Sequence, residues 1–133
     1  MAILYFLTAY FGSMDARKGN IILFDSYESR KPAKPYLRGM VVGCEKGYIL
    51  FQGDFRRMVE ECAGVVLTEN WLISFGFTCA SRGCYKLNGI IWDAFERSVK
   101  YKNESATCEF VHELQNFYQD KTGNLLEVVI IRP

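Results

Sequence analysis

One stretch near the end of the chain, EFVHELQNFYQDKTG (Glu109–Gly123), constrains the fold more than any other. At a helical step of about 100° per residue, Phe110, Val111, Leu114, Phe117 and Tyr118 share one arc. That spacing predicts a helix laid across a sheet, with Glu113 and Asp120 toward water. Between the two sides lies an amide-rich flank of His112, Gln115, Asn116 and Gln119. Ser105 or Thr107 is suited to cap the first turn, because a short hydroxyl accepts a bond from an orphan N–H. Glu109 favours the positive end of the helix dipole. Gly123 supplies the left-handed stop, and Lys121 sits in the last turn.

The remaining elements read as short strands and one short helix. Ile21–Phe24 is an apolar strand. Gly39–Cys44 and Gly47–Gln52 form a hairpin around Glu45–Lys46. Phe55–Val59 is a further strand, with Arg56 and Arg57 on opposite faces. Within Val65–Phe77, Thr68 caps a helix of about two turns whose face is Trp71, Leu72 and Phe75, and Gly76 ends it. Asn88–Gly89 between Cys84–Leu87 and Ile90–Asp93 is the strongest hairpin signal, since Asn-Gly favours a type I′ turn. Arg97–Lys102 alternates like a strand wet on one face. LLEVVII (Leu125–Ile131) reads as a strand covered on both faces. The sum is one α+β domain over residues 1–133. It has mostly antiparallel strands, curled into a small β-barrel or a strongly bent sheet in the N-terminal half, with a short helix and a main C-terminal helix on the sheet. The apolar Met1–Phe11 lacks the basic start of a signal peptide and is shorter than the roughly 20 residues of a membrane span. Residues 1–13 read either as a first strand or as an upstream extension.

Composition narrows the function. A net charge of +1 argues against a strongly basic nucleic-acid binder, and a half-hydrophobic chain argues against disorder. The five cysteines are odd in number and form no CxxC pair, so they read as reduced side chains in a cytoplasmic protein. Cys79 and Cys84 approach each other across a hairpin, but a structural zinc needs four ligands, and there is one histidine. No phosphate-loop, dinucleotide, nucleophile-elbow or zinc-protease pattern occurs. The one catalytic pairing within reach is Cys108 with His112, four residues on along the helix start. These observations favour a non-enzymatic protein that calls for no cofactor and no membrane. The loop Asp25–Arg38 gathers Arg30, Lys31, Lys34 and Arg38 around Tyr27 and Tyr36. It reads as a solvated loop or as an anion contact, because cations beside aromatic faces suit nucleotides. The candidate binding residues are therefore His112, Gln115, Asn116 and Gln119 on the helix flank, and Arg30, Lys31, Lys34, Tyr36 and Arg38 in the loop.

Two stretches carry a family resemblance. LTENWLISFGF (Leu67–Phe77) and VHELQNFYQDKTGNLL (Val111–Leu126) resemble the LTEEWLLKFGF-like and YVHQLQNLYFALTGEEL-like motifs of a family of small uncharacterised proteins. Its members come from gut anaerobic bacteria and their phages and mobile elements. ARKGNIIL (Ala16–Leu23) resembles that family's opening strand. The matching residues are Leu67, Thr68, Glu69, Trp71, Leu72, Phe75, Gly76 and Phe77, then Val111, His112, Leu114, Gln115, Asn116, Thr122 and Gly123, with Tyr118 an aromatic in register. The chain departs from the pattern in its first thirteen residues, its basic loop and its extra cysteines. The resemblance implies a phage or mobile-element origin and the cytoplasm of a bacterial host. With it, the expectation is a binding protein that counteracts host defence by holding a host protein or a signalling nucleotide. The alternatives are a nucleic-acid-binding accessory protein, an enzyme using Cys108 and His112, and a self-associating domain that pairs through its edge strands.

Overall fold

A computed structural model describes residues 14–27 and 36–129. The readings placed on Met1–Phe11 and on Arg30, Lys31 and Lys34 lie outside those residues. The chain divides into two compact units, residues 1–65 and 66–133, each containing one five-stranded antiparallel sheet. The α+β class is as expected.

The first unit holds β1 (Ile21–Asp25), β2 (Tyr36–Glu45), β3 (Tyr48–Phe51), β4 (Phe55–Met58) and β5 (Cys62–Gly64). Their order across the sheet is β4-β3-β2-β1-β5. Strand β2 therefore begins inside the expected loop and carries Tyr36 and Arg38. Its first half pairs with β1 and its second half with β3. The two outer strands, β4 and β5, are joined only by a three-residue 3₁₀ turn, Val59–Glu61. Such a turn rises about 2 Å per residue, so the sheet must curl until its edges nearly meet. No backbone ladder joins β4 to β5, so the expected barrel is not closed; the sheet is strongly bent and open. Side chains stitch the seam instead. Arg57 Nε donates to the Asp25 carbonyl at 2.8 Å. The Glu61 carboxylate accepts from the Met58 N–H at 2.9 Å and from the Tyr27 hydroxyl at 2.8 Å.

The inside of this curl is the core: Ile22, Phe24, Val41, Ile49, Phe51 and Cys62. Phe24, Phe51 and Phe55 form a ring cluster with centroids 5.0–5.2 Å apart. It closes over Gly39, where a Cβ would lie 2.8 Å from the Phe24 ring and 2.9 Å from that of Phe51. Only a residue without a side chain lets β2 approach the rings so closely.

The second unit is a meander of β6 (Thr78–Ser81), β7 (Cys84–Leu87), β8 (Ile90–Asp93), β9 (Ser98–Tyr101) and β10 (Glu104–Thr107). It also carries helices α1 (Glu69–Phe75) and α2 (Val111–Thr122). The Asn88–Gly89 turn has both residues at positive φ, 50° and 86°, as a type I′ hairpin requires. Tyr85, Trp92 and Val99 face one another across three strands and are buried. Both helices end at glycines in the left-handed conformation, Gly76 and Gly123.

Three expectations are corrected. Neither Ser105 nor Thr107 caps α2, because both belong to β10, which pairs with β9. The cap position is Phe110, which offers no capping hydroxyl, and the Glu113 carboxylate makes the reciprocal bond of a capping box instead. It accepts from the N–H groups of Glu109 and Phe110 at 2.8 and 3.1 Å, so Glu113 is turned back onto the helix start. The buried face of α2 is rotated toward the amide flank. Val111, Leu114 and Tyr118 are buried as expected, but so are His112, Gln115 and Asn116, while Phe110 and Phe117 are only half-buried. Residues 125–129 form no strand. After Gly123 the chain runs back over the two helices, where Leu126 accepts a bond from Gln115 and the Val129 N–H bonds the Ser74 carbonyl.

Replacing Gly39 with alanine is expected to lower the stability of the first unit by about 1–3 kcal/mol, the range for overpacking a filled core. Urea unfolding followed by tyrosine fluorescence measures it, and an unchanged midpoint contradicts the packing described.

Candidate binding surface

The curl gives the first sheet an inner and an outer face, and the register assigns residues to each. Opposite Ile21, Leu23 and Asp25 on β1 stand Met40, Arg38 and Tyr36 on β2. On the other side of the sheet, Leu50 stands opposite Arg56 and Tyr48 opposite Met58. All point away from the core. Tyr36, Met40 and Met58 are 49%, 43% and 42% exposed, and Val42 beside them is 44% exposed. Arg56 lies 4.1 Å over the Tyr48 ring and pairs with Glu45 at 3.3 Å. The outer face is thus a broad surface of tyrosine, methionine and aliphatic side chains with two guanidinium groups. Its apolar members were legible singly. The surface was not, because the β2 run LRGMVVG is apolar on both faces and hides the period-two alternation.

The two expected groups of site residues have different surroundings. Of the loop group, Tyr36 and Arg38 stand on the outer face. Where the loop leaves β1, Tyr27 adopts a φ of 65°, and its ring lies 3.9 Å from the Arg57 guanidinium. The Tyr27 hydroxyl is pushed above its ordinary value, chiefly by its hydrogen bond to Glu61. Of the helix group, His112, Gln115 and Asn116 are 5–7% exposed, and Gln119 is half-buried. Gln115 Nε2 donates to the Leu126 carbonyl at 3.2 Å, and Phe110 stacks on the His112 ring at 5.9 Å. This flank is built into the second unit.

Arg97 ties the start of the first stretch that carries the family resemblance to the segment just before the second. Its Nη2 donates to the carbonyls of Leu67 and Glu109 at 3.1 and 3.0 Å. The Leu67 N–H bonds the Glu109 carbonyl, and Trp92 Nε1 donates to that of Cys108. Cys108 itself is fully buried, and burial, then the Glu113 charge, pushes its thiol far above the ordinary cysteine range. A thiol held protonated away from solvent is a poor nucleophile. Cys79 and Cys84 lie on paired strands and are free thiols. Among the described residues no group of three or more His, Cys, Asp or Glu is placed to hold a metal. No described helix is long and apolar enough to cross a membrane.

Comparison with family models, with curated proteins and with solved structures finds no match to this chain.

The cysteines offer a direct check of these environments. Cys44 and Cys79 are exposed, whereas Cys62 and Cys108 are buried. A thiol-reactive dye is expected to label the exposed pair in the native protein and the buried pair only after unfolding. Burial, helped by Glu61, also pushes the Cys62 thiol from 9.0 up to about 12. Above the lower value the unfolded chain loses this proton while the native chain keeps it, so the Cys62 contribution to stability falls as pH rises from 9.0 to about 12. Cys62→Ala should flatten that part of the urea-midpoint profile; an identical slope in both proteins contradicts the buried thiol.

Proposed function

We propose that this chain is a non-enzymatic binding protein that recognises a protein partner through the outer face of its first sheet. The observation that carries the reading is the exposure of Tyr36, Met40, Val42 and Met58 on one surface, with Arg38 and Arg56 among them. Tyrosine, methionine and arginine are the residue types enriched in the buried centres of protein interfaces. Exposed apolar patches mark interaction sites, and Tyr36, Met40 and Val42 follow one another along β2. A nucleotide or nucleic-acid ligand is less well supported, since the Arg56 charge is already met by Glu45. The burial of Cys108 weighs against the Cys108–His112 pairing as a catalytic centre.

The resemblance to phage and mobile-element proteins supplies the setting we infer: a partner from the bacterial host, held so that a host defence is blunted. The test is capture from host lysate on immobilised protein, comparing the native chain with Met40→Glu and Tyr36→Ala. We expect one host protein to be retained by the native chain and reduced about tenfold or more by Met40→Glu, as for a residue central to an interface. The thermal midpoint should be little changed. Equal retention by all three proteins, or no retained protein, counts against this reading.

A further inference from the structure

A pocket of about 330 Å³ at the β3–β4 turn is lined by Val42, Leu50 and Arg56 of the outer face together with Phe51, Asp54 and Phe55. That volume is at the small end of the range for ligand sites. Two local departures from regular sheet accompany it. Strand β2 bulges between Val41 and Gly43, so that Val42 has no partner across the ladder, while its neighbours pair with consecutive residues of β3. A bulge bends a strand and re-aims side chains. The β3–β4 turn passes through Gly53 and Asp54, both at positive φ, 107° and 63°. An aspartate accepts that conformation better than most residues, yet the conformation remains uncommon. Bulge and turn flank the pocket walls from two sides.

Four of the six lining residues are apolar, and two are aromatic. Phe51 and Phe55 stack with centroids 5.2 Å apart and planes 12° from parallel. The charges are not balanced in their commitments. Arg56 is paired with Glu45 and lies over the Tyr48 ring. Asp54 is exposed, and among the described residues it forms no ion pair and no hydrogen bond. The uncommitted charge at the pocket is therefore negative, beside walls that are mostly apolar.

We infer that this pocket binds a cationic group carried on an apolar body: an amine or guanidinium on an aliphatic or aromatic stem. The stem displaces water from Val42, Leu50 and the half-buried Phe55, and the charge is met by the Asp54 carboxylate. Such a group is available on a free amphipathic amine and on a lysine or arginine of a bound protein. The inference uses the same face as the proposed function but does not depend on the partner's identity. A probe titration can fail while lysate capture succeeds, and the reverse.

The test is a nitrogen-15 amide titration of the full chain with phenethylamine, phenylethanol and phenylacetate, which share a body and differ in charge. Phenethylamine should cause saturable shifts at Val42, Leu50 and Asp54–Arg56. It should bind about fivefold more tightly than the alcohol, the scale of one exposed ion pair, and more tightly still than the acid. Asp54→Asn keeps a residue suited to positive φ, so the turn is retained. It should bring the amine to the level of the alcohol. Val42→Trp, at the exposed bulge, should fill the pocket and abolish all three. Native-like spectra establish that the variants fold. Equal binding of amine and acid, unchanged amine binding by Asp54→Asn, or no saturable shift at these residues overturns the inference. Shifts in a lysine-containing peptide that exceed those of the free amine would identify the protein-borne source, and the reverse ranking the free amine.

Discussion

The Arg57 guanidinium holds the seam on which the first unit depends. A sheet whose outer strands are joined by only three residues has to curl, and a curled sheet that does not close must satisfy its edges otherwise. Arg57 does this from β4. It donates to the Asp25 carbonyl at the end of β1 and to the Arg56 carbonyl on its own edge. The same planar group lies 5.0 and 5.3 Å from the rings of Phe55 and Phe24. A lysine could offer neither the fork of donors nor the flat contact. Glu61 completes the seam by accepting from Met58 and Tyr27. With these edge groups bonded to side chains, β4 is a poor template for another strand.

Curling separates those faces. The phenylalanine rings, Ile22, Val41 and Ile49 fill the inside, and Gly39 lets β2 sit close enough for them to touch. The outside keeps Tyr36, Met40, Val42 and Met58 in water. Leaving apolar area exposed forgoes about 25 cal/mol per Å² of burial, which the proposed partner would recover. The second unit is organised differently. There Arg97 and Trp92 fasten the segment before α1 to the segment before α2 through three backbone carbonyls. The amide flank of α2 is buried with them.

Local signals made much of this legible. The Asn88–Gly89 hairpin, the two glycine helix stops and the arc of Val111, Leu114 and Tyr118 each follow from chemistry within a few residues. What could not be read depends on distant partners. Ser105 and Thr107 look like caps until Lys100 and Ser98 are seen to offer them a strand. His112, Gln115 and Asn116 look like a polar flank because nothing nearby announces the returning chain that carries the Leu126 carbonyl. The pocket is hidden for a similar reason. A bulge at Val42 leaves no mark in an apolar run, and Asp54 stands in a turn where aspartate is ordinary. The loop cations were conspicuous in sequence, yet the exposed face on which Arg38 stands is mostly apolar.

The central claim is that adjacent residues of one strand do separate work, Val41 for folding and Met40 for binding. Val41 is wholly buried and Met40 is 43% exposed. Threonine at each position, with stability measured by urea denaturation, tests the division most directly. A hydroxyl introduced in the core without a partner should cost about 2 kcal/mol at Val41. The same residue on the outer face should cost within about 0.5 kcal/mol at Met40. Equal losses at the two positions would contradict the account, because the outer face would then be part of the core.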